Sequence, residues 1–248
     1  MIMTAIKENI EQVRERISAA AQRSGRTAAD VAVVAVTKSA DVGSILEAQQ
    51  AGITTFAENR VQDAMEKVPQ VPGVQWHMVG HLQSNKIKTA LGLSHCIQSV
   101  DSVRLAKEIN QHLLAEDRLL PVLLEVNISG EKQKFGFEPE QIYSAVEEFA
   151  PLTQILVQGV MGIAPNVAEE GPKRAAFKKL KNIFIVLKGL KRERLQMQTL
   201  SMGMSDDFEV AVEEGSNMLR LGRAIFNSPL RPPSLSKEGG TGGVQGKP

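Results

Sequence analysis

One cysteine in 248 residues, Cys96, leaves no internal disulfide and no zinc site built on cysteines. It lies in an apolar stretch, His95-Cys-Ile-Gln-Ser-Val100, and reads as inert core. Charge of one sign is missing too. The formal net charge is +1, so no basic face is implied and nucleic acid is not expected as the main partner. No apolar run approaches membrane-spanning length, and the first residues, Met1-Ile-Met-Thr-Ala-Ile, hold no small-residue cleavage site. A cytoplasmic protein with no membrane partner is expected. No glycine-rich dinucleotide fingerprint follows the first apolar run, and no Pro/Gly-rich linker interrupts residues 25–228, so one domain is expected.

What the chain does have is an ordinary globular composition, 42% hydrophobic and 23% charged, which allows a sizeable core. Residues 4–24 space Ile6, Ile10, Val13, Ile17 and Ala20/Ala21 for one face of a helix, ended by Gly25. Beyond it, strand-like segments fall at 31–37, 53–57, 75–79, 95–100, 121–128, 155–161, 197–201 and 217–221. Helix-like segments fall at 41–51, 60–67, 84–91, 102–116, 139–149, 171–188 and 206–214. Asp41 and Asp101 are placed as N-caps and Pro139 in a first turn. Eight alternations over this length predict an α/β chain folded as a single (β/α)8 TIM-type barrel with an extra N-terminal helix. A doubly wound open sheet is the alternative. The barrel is assigned to residues 1–228. Residues 229–248 form a Pro/Gly/Ser-rich tail expected to be disordered.

The run Val31-Ala-Val-Val-Ala-Val36-Thr37-Lys38 is short, β-branched and uninterrupted, so it predicts a strand buried on both faces. Lys38 at its end sits at the mouth of an apolar interior, where its amine can be partly desolvated and serve as a nucleophile. On position alone, a lysine that caps the strand and snorkels to solvent is the better reading. The rest of the chain shifts that weight. In a barrel the strand ends form one constellation: Lys38, Glu58-Asn59, Gly80-His81, Asn127, Met161-Gly162, Ser201-Met-Gly-Met-Ser205 and Leu221-Gly-Arg223. Ser205 is expected to cap the helix that follows it, and Gly222 lets the backbone come close, with the Gly222 and Arg223 amides turned inward. Either segment alone is a plain cap or turn. Two at the same end of adjacent strands point to a phosphate site. A nucleophilic lysine and a phosphate site suit pyridoxal 5′-phosphate (PLP). Arg220, on the same face as Gly222 by alternation, could hydrogen-bond the pyridine nitrogen and keep it unprotonated, which weakens carbanion chemistry.

At this point the residues resemble a known family. Ala35-Val-Thr-Lys38, Phe56-Ala-Glu-Asn-Arg-Val-Gln62, Trp76-His-Met-Val-Gly-His-Leu-Gln-Ser-Asn-Lys86, Gln98-Ser-Val-Asp101, Lys134-Phe-Gly136, Gly159-Val-Met-Gly-Ile-Ala-Pro165, Leu200-Ser-Met-Gly-Met-Ser-Asp-Asp207 and Arg220-Leu-Gly-Arg-Ala-Ile-Phe226 look like the pyridoxal phosphate homeostasis proteins of the YggS/PROSC type. The resemblance implies a fold-type III barrel like the N-terminal domain of alanine racemase. It implies PLP held as a Schiff base on Lys38, Arg220 at the ring nitrogen, and Ser205, Gly222 and Arg223 at the phosphate. Asn59, His77, Met161 and Ser201 would line the pocket. It implies a role in intracellular PLP homeostasis, as carrier or buffer, and no established turnover. Ala57, Asp63 and Asn227 depart from residues common in the family, and none touches Lys38, Arg220 or Ser205.

Racemisation needs an acid/base on each face of the cofactor. In alanine racemase the second is a tyrosine from a second domain of the partner subunit. Here the single tyrosine, Tyr143, is expected on a helix flank, and no length remains after 228 for a second domain. The expectation is therefore a monomeric PLP-binding protein rather than an enzyme, with PLP-dependent apoenzymes as possible receivers. Two other classes stay open: weak racemase-like activity using His77 or His81, and a cofactor-free aldolase, for which Glu58 is the only carboxylate placed at a strand end. Lys173-Arg174, Lys178-Lys179-Lys181 and Lys188, Lys191, Arg192 and Arg194 read as a solvated face.

Overall fold

The computed structural model describes residues 5–131 and 133–227. The expected tail at 229–248, together with Ser228 and the expected helix start at Thr4, lies outside the described residues. Eight parallel strands close into a barrel in chain order: β1 Ala32–Val36, β2 Thr55–Glu58, β3 Gln75–Met78, β4 Cys96–Val100, β5 Leu120–Val126, β6 Ile155–Gly162, β7 Leu195–Ser201 and β8 Met218–Leu221. Closure is made by β1 on β8, with Val34 opposite Arg220. The open-sheet alternative is thereby excluded.

The helices are α1 Ala5–Arg23, α2 Val42–Gln50, α3 Val61–Lys67, α4 Ile87–Leu93, α5 Val103–Leu114, α6 Ile142–Ala145, α7 Glu170–Gly189, α8 Phe208–Glu213 and α9 Arg223–Phe226. The predicted strands and helices are all present, and α9 is additional. Several helices are shorter than predicted, α8 among them, which starts at Phe208 rather than 206. Residues 84–86 form a 3-10 turn before α4, and the expected helix over 139–149 is four α-helical residues followed by a 3-10 turn, Val146–Phe149. Pro139 lies in the turn before α6, where Ile142 N–H donates to Glu138 O.

Caps explain some of the boundaries. Asp41 Oδ1 accepts from Ser44 N–H at 2.8 Å and starts α2 as expected. Asp101 does not cap α5. That role falls to Ser102, whose hydroxyl accepts from Leu105 N–H at 3.2 Å, because Asp101 is engaged by His81.

Two apolar layers hold the molecule. The outer layer lies between sheet and helices and includes Ala35, Phe56, Trp76, Ile97, Val122, Val160 and Leu219. The inner layer fills the barrel in two small groups, Val34, Val36 and Ala57 in one and Cys96, Leu123 and Met161 in the other. That double burial is why the strands read as continuous apolar runs. α1 adds Ile10, Val13 and Ile17 to the core; each fully buried side chain contributes roughly 1.5–3 kcal/mol. Its outer face is pinned by Arg16, which clasps Glu209 of α8 through two bonds of 3.1 and 2.8 Å.

Candidate functional site

Alternation along each strand decides what enters the barrel. Val34 and Val36 face inward, so Lys38 continues that face two residues past the end of β1. Lys38 is exposed. The strand stops at Val36, so the protein's own walls do not desolvate the amine as the sequence suggested. It stands on the rim.

The backbone on both sides of that rim is fixed by a knot outside the barrel. Thr37 is fully buried. Its hydroxyl lies 2.6 Å from Glu58 Oε1. Lys67 of α3 donates to the same Oε1 and to Thr37 O, both at 2.7 Å. Asn59 N–H donates to Glu58 Oε2 at 3.2 Å. Glu58 thus points away from the barrel and is fully enclosed. It cannot act on a ligand in the mouth, and the aldolase reading loses its carboxylate. Asn59, next on the alternation, turns to the mouth and is exposed.

Arg220 lies deep. It is 4% exposed, donates from Nη1 to Ser201 Oγ at 2.6 Å and from Nη2 to Gly162 O at 2.9 Å, and among the described residues no carboxylate is ion-paired with it. Burial pulls its pKa down to about 10, with Glu125 and Asp207 opposing through space. Met161 and Ser201 are buried beside it on adjacent strands.

The two segments expected to form the anion site do meet. Ser205 Oγ accepts from Ala224 N–H at 3.1 Å, tying the β7 loop to the first turn of α9. Ser205 is not the cap of α8. That helix begins at Phe208 behind Asp207, whose carboxylate accepts from Met204 N–H at 2.6 Å and closes the loop on itself. Gly203 makes the turn with φ +96, a conformation that side chains disfavour, and its carbonyl accepts from Arg220 N–H. A Cβ on Gly222 would stand 3.1 Å from Val36 O, so the end of β8 presses on the end of β1. Arg223 is exposed and ion-paired with Asp206.

His77 is placed elsewhere. It faces the barrel interior from the middle of β3, opposite Cys96, and lines a cavity of about 170 Å³ at the strands' N-terminal ends with Gln75, His95, Thr199 and Met218. It is not a wall of the mouth, because it stands in mid-strand beside the first residue of β4, below the rim, while Trp76 packs outward on Phe56. Burial, then His95, push its pKa down to about 4, so the ring is neutral. His81 is at the mouth. Its Nδ1 lies 2.7 Å from Asp101 Oδ2 and its ring stacks on Phe135 at 3.7 Å.

Glu125 was not foreseen. It lies among Val122, Leu124 and Val126, which face outward, so it faces in, four strands round from β1 and across the mouth from Lys38. Burial, with Asp101 adding, raises its pKa to about 7, while Arg220 opposes. The available signal was a carboxylate inside an apolar run. Among the described residues no group of three or more His, Cys, Asp or Glu could hold a metal ion. A larger cleft of about 450 Å³ lies apart from all this, against α1, and is mostly apolar.

Residues 3–229 match the family described as alanine racemase, N-terminal domain. The chain is 36% identical over 231 residues to the pyridoxal phosphate homeostasis protein of Vibrio cholerae serotype O1, across 90% of this chain and 96% of that one. It is also 36% identical over 231 residues to the protein of that name from Escherichia coli K12, across 91% and 97%. The structure of PipY from Synechococcus elongatus PCC7942 with PLP bound aligns at TM-score 0.77 and 29% identity, covering 90% of this chain and all 100% of that one. Alanine racemase of Clostridium difficile 630 aligns at TM-score 0.67 and 14% identity over 90% of this chain and 56% of its own, a likeness of fold.

Proposed function

We propose, for a chain that belongs to the family of pyridoxal phosphate homeostasis proteins, that it holds PLP as a Schiff base on Lys38 and carries or buffers the cofactor rather than turning over a substrate. The observation that carries this is one arrangement at the C-terminal mouth of the barrel. A lysine stands on the rim, an unpaired guanidinium lies on the floor, and a joint between Ser205 and the start of α9 lies beside them.

The donor set fits that cofactor. Gly222 lets the end of β8 close on Val36 O, where a Cβ would be crowded, and the amides of Gly222 and Arg223 follow at the start of α9 as candidates for the phosphate. Ser205 Oγ sits at the same joint. PLP supplies an aldehyde and an electron-withdrawing ring. Lys38 would supply the amine that takes up the aldehyde. Arg220, charged at working pH, would donate to the ring nitrogen and keep it unprotonated. Asn59 and Met161 bound the pocket, and Ser201 acts through Arg220.

Absence of turnover is our reading, and the chain's one tyrosine, Tyr143, lies exposed on α6. A second reading, slow proton exchange on an added amino acid, is favoured by Glu125, the one inward carboxyl poised near neutrality opposite Lys38. Uptake of solvent deuterium at the α-carbon separates the two: a rate no higher than free PLP supports the carrier. We further place the protein in the cytoplasm as a monomer that passes PLP to apoenzymes. Among the described residues no helix is long and apolar enough to cross a membrane.

The direct test is the visible spectrum of the purified chain with added PLP, then borohydride reduction and peptide mapping. The expected result is a single reduced adduct on Lys38, absent from Lys38→Ala. Label shared among exposed lysines would refute the reading.

A further inference from the structure

The interior below Arg220 is polar, and it is wired in one direction. Arg220 Nη1 donates to Ser201 Oγ at 2.6 Å. Ser201 Oγ then donates to Gln98 Oε1 at 2.7 Å. Gln98 Nε2 lies 2.8 Å from His77 Nδ1 and also donates to Met218 Sδ at 3.3 Å. A guanidinium has donors and no acceptor, so Ser201 Oγ accepts at the upper end of the chain. Ser201 must accept from Arg220 and has one proton left, which goes to Gln98 Oε1. The amide of Gln98 is thereby oriented, with its nitrogen toward His77. His77 Nδ1 must then be the acceptor, so the ring carries its proton on Nε2 and is neutral. Turning the Gln98 amide round would leave the Ser201 proton without its acceptor and set Gln98 Oε1 against Met218 Sδ.

We propose that Gln98 and His77 are positioning residues for Arg220, and that this relay couples the ligand at the barrel mouth to the cavity at the barrel's opposite end. Each link polarises the next, so the chain acts as a unit. Its lower end is half-buried at the cavity lined by Gln75, His95, Cys96 and Thr199. With Nδ1 engaged, Nε2 is the ring nitrogen left to face it. The relay explains why three polar side chains stand in the middle of a barrel otherwise filled by Val34, Cys96, Leu123 and Met161. Coupling to PLP rests on the proposed function; the hydrogen-bond sense does not.

The test uses the full-length chain with ¹⁵N-labelled histidine. In the cofactor-free protein His77 is expected as the Nε2-protonated tautomer; the other tautomer, or a charged ring at pH 7, overturns the relay whatever binds above. Adding PLP is expected to move both His77 nitrogen shifts, although Lys38 is at the far end of the barrel. His77→Leu is expected to weaken PLP binding about fivefold, the size of one hydrogen bond's net contribution, with capture by Lys38 retained. His77→Gln, which can offer an acceptor oxygen, is expected to bind within about twofold of the original, and that rescue separates positioning from packing. Unmoved His77 signals with Lys38 captured, or unchanged affinity in His77→Leu, overturn the coupling. Failure of the unaltered chain to capture PLP on Lys38 overturns the proposed function and the coupling with it, and leaves the tautomer measurement to decide the relay.

Discussion

Lys67→Met should damage this protein more than any surface substitution, although Lys67 is neither on a strand nor in the mouth. The ammonium lies 2.7 Å from Glu58 Oε1, with the lysine side chain 12% exposed and that of Glu58 fully enclosed. Removing it strands a buried carboxylate. Thr37 Oγ1 and Asn59 N–H remain as its partners, which places the loss toward the lower end of the roughly 3–5 kcal/mol seen when a buried pair is broken. For a chain of this size about 3 kcal/mol corresponds to a fall in Tm of about 6–12 °C. The cofactor-free protein, followed by circular dichroism during heating and in urea, measures this without ligand linkage. The double variant Lys67→Met/Glu58→Gln removes both charges and keeps groups able to bond Thr37 and Asn59. It should therefore recover most of the loss, giving a coupling of at least about 1 kcal/mol in the double-mutant cycle. Borohydride capture of PLP by Lys38 should slow in Lys67→Met, because Lys67 also anchors Thr37 O immediately before Lys38. A Tm within about 3 °C of the original, or a double variant as unstable as the sum of its singles, would refute the claim that this knot fixes the rim.

Two further outcomes are expected. Glu125 has a folded pKa raised to about 7 from an ordinary 4.5, so between those values the folded state holds a proton that the unfolded state has lost; stability falls as pH rises through that window and levels off above it. Glu125→Gln should then gain on the order of 2–3 kcal/mol over the original at pH 8 and nothing at pH 4; equal urea midpoints at pH 8 would contradict the assigned burial. Cys96, enclosed at the barrel's lower end with its thiol pushed up to about 12, should resist an aromatic disulfide reagent at pH 8 in the native protein and give one equivalent in urea; rapid native labelling would mean that the lower cavity opens.

The barrel was legible because its strands are buried on both faces and so stand out as short β-branched runs, and because punctuation between them is regular. Strand ends could therefore be named, and with them Lys38, Asn59, Ser205, Arg220 and Gly222. What could not be read was direction and partner choice. Asp101 and Ser102 are both good caps by type, and only the position of His81 decides which one serves. Ser205 looked like the start of a helix that begins three residues later, because the bond it makes is to Ala224, nineteen residues on. His77 was assigned to the mouth on a correct inward alternation, but alternation gives a face and not a height. Its height follows from the register of β3 on β4, which sets it opposite Cys96. The register shift between Ile97 and Val100 breaks the period that a sequence reading assumes.

The depth difference between Lys38 and Arg220 bears on what kind of protein this is. An enzyme that works on a reactive carbanion must exclude water from both faces of the cofactor. Here the floor is buried and organised, with Arg220 donating to Ser201 and to the Gly162 carbonyl, while Lys38 and Asn59 are exposed on the rim. In the proposed PLP complex the specific contacts would be concentrated at the ring nitrogen and the phosphate, and the covalent link to Lys38 would be the part that water reaches. The bond formed by loss of water is reversed by water. A site built this way would retain its ligand through the floor and release it through the rim. That division suits a carrier, in which binding and release share one path and the protein gains nothing from stabilising a transition state.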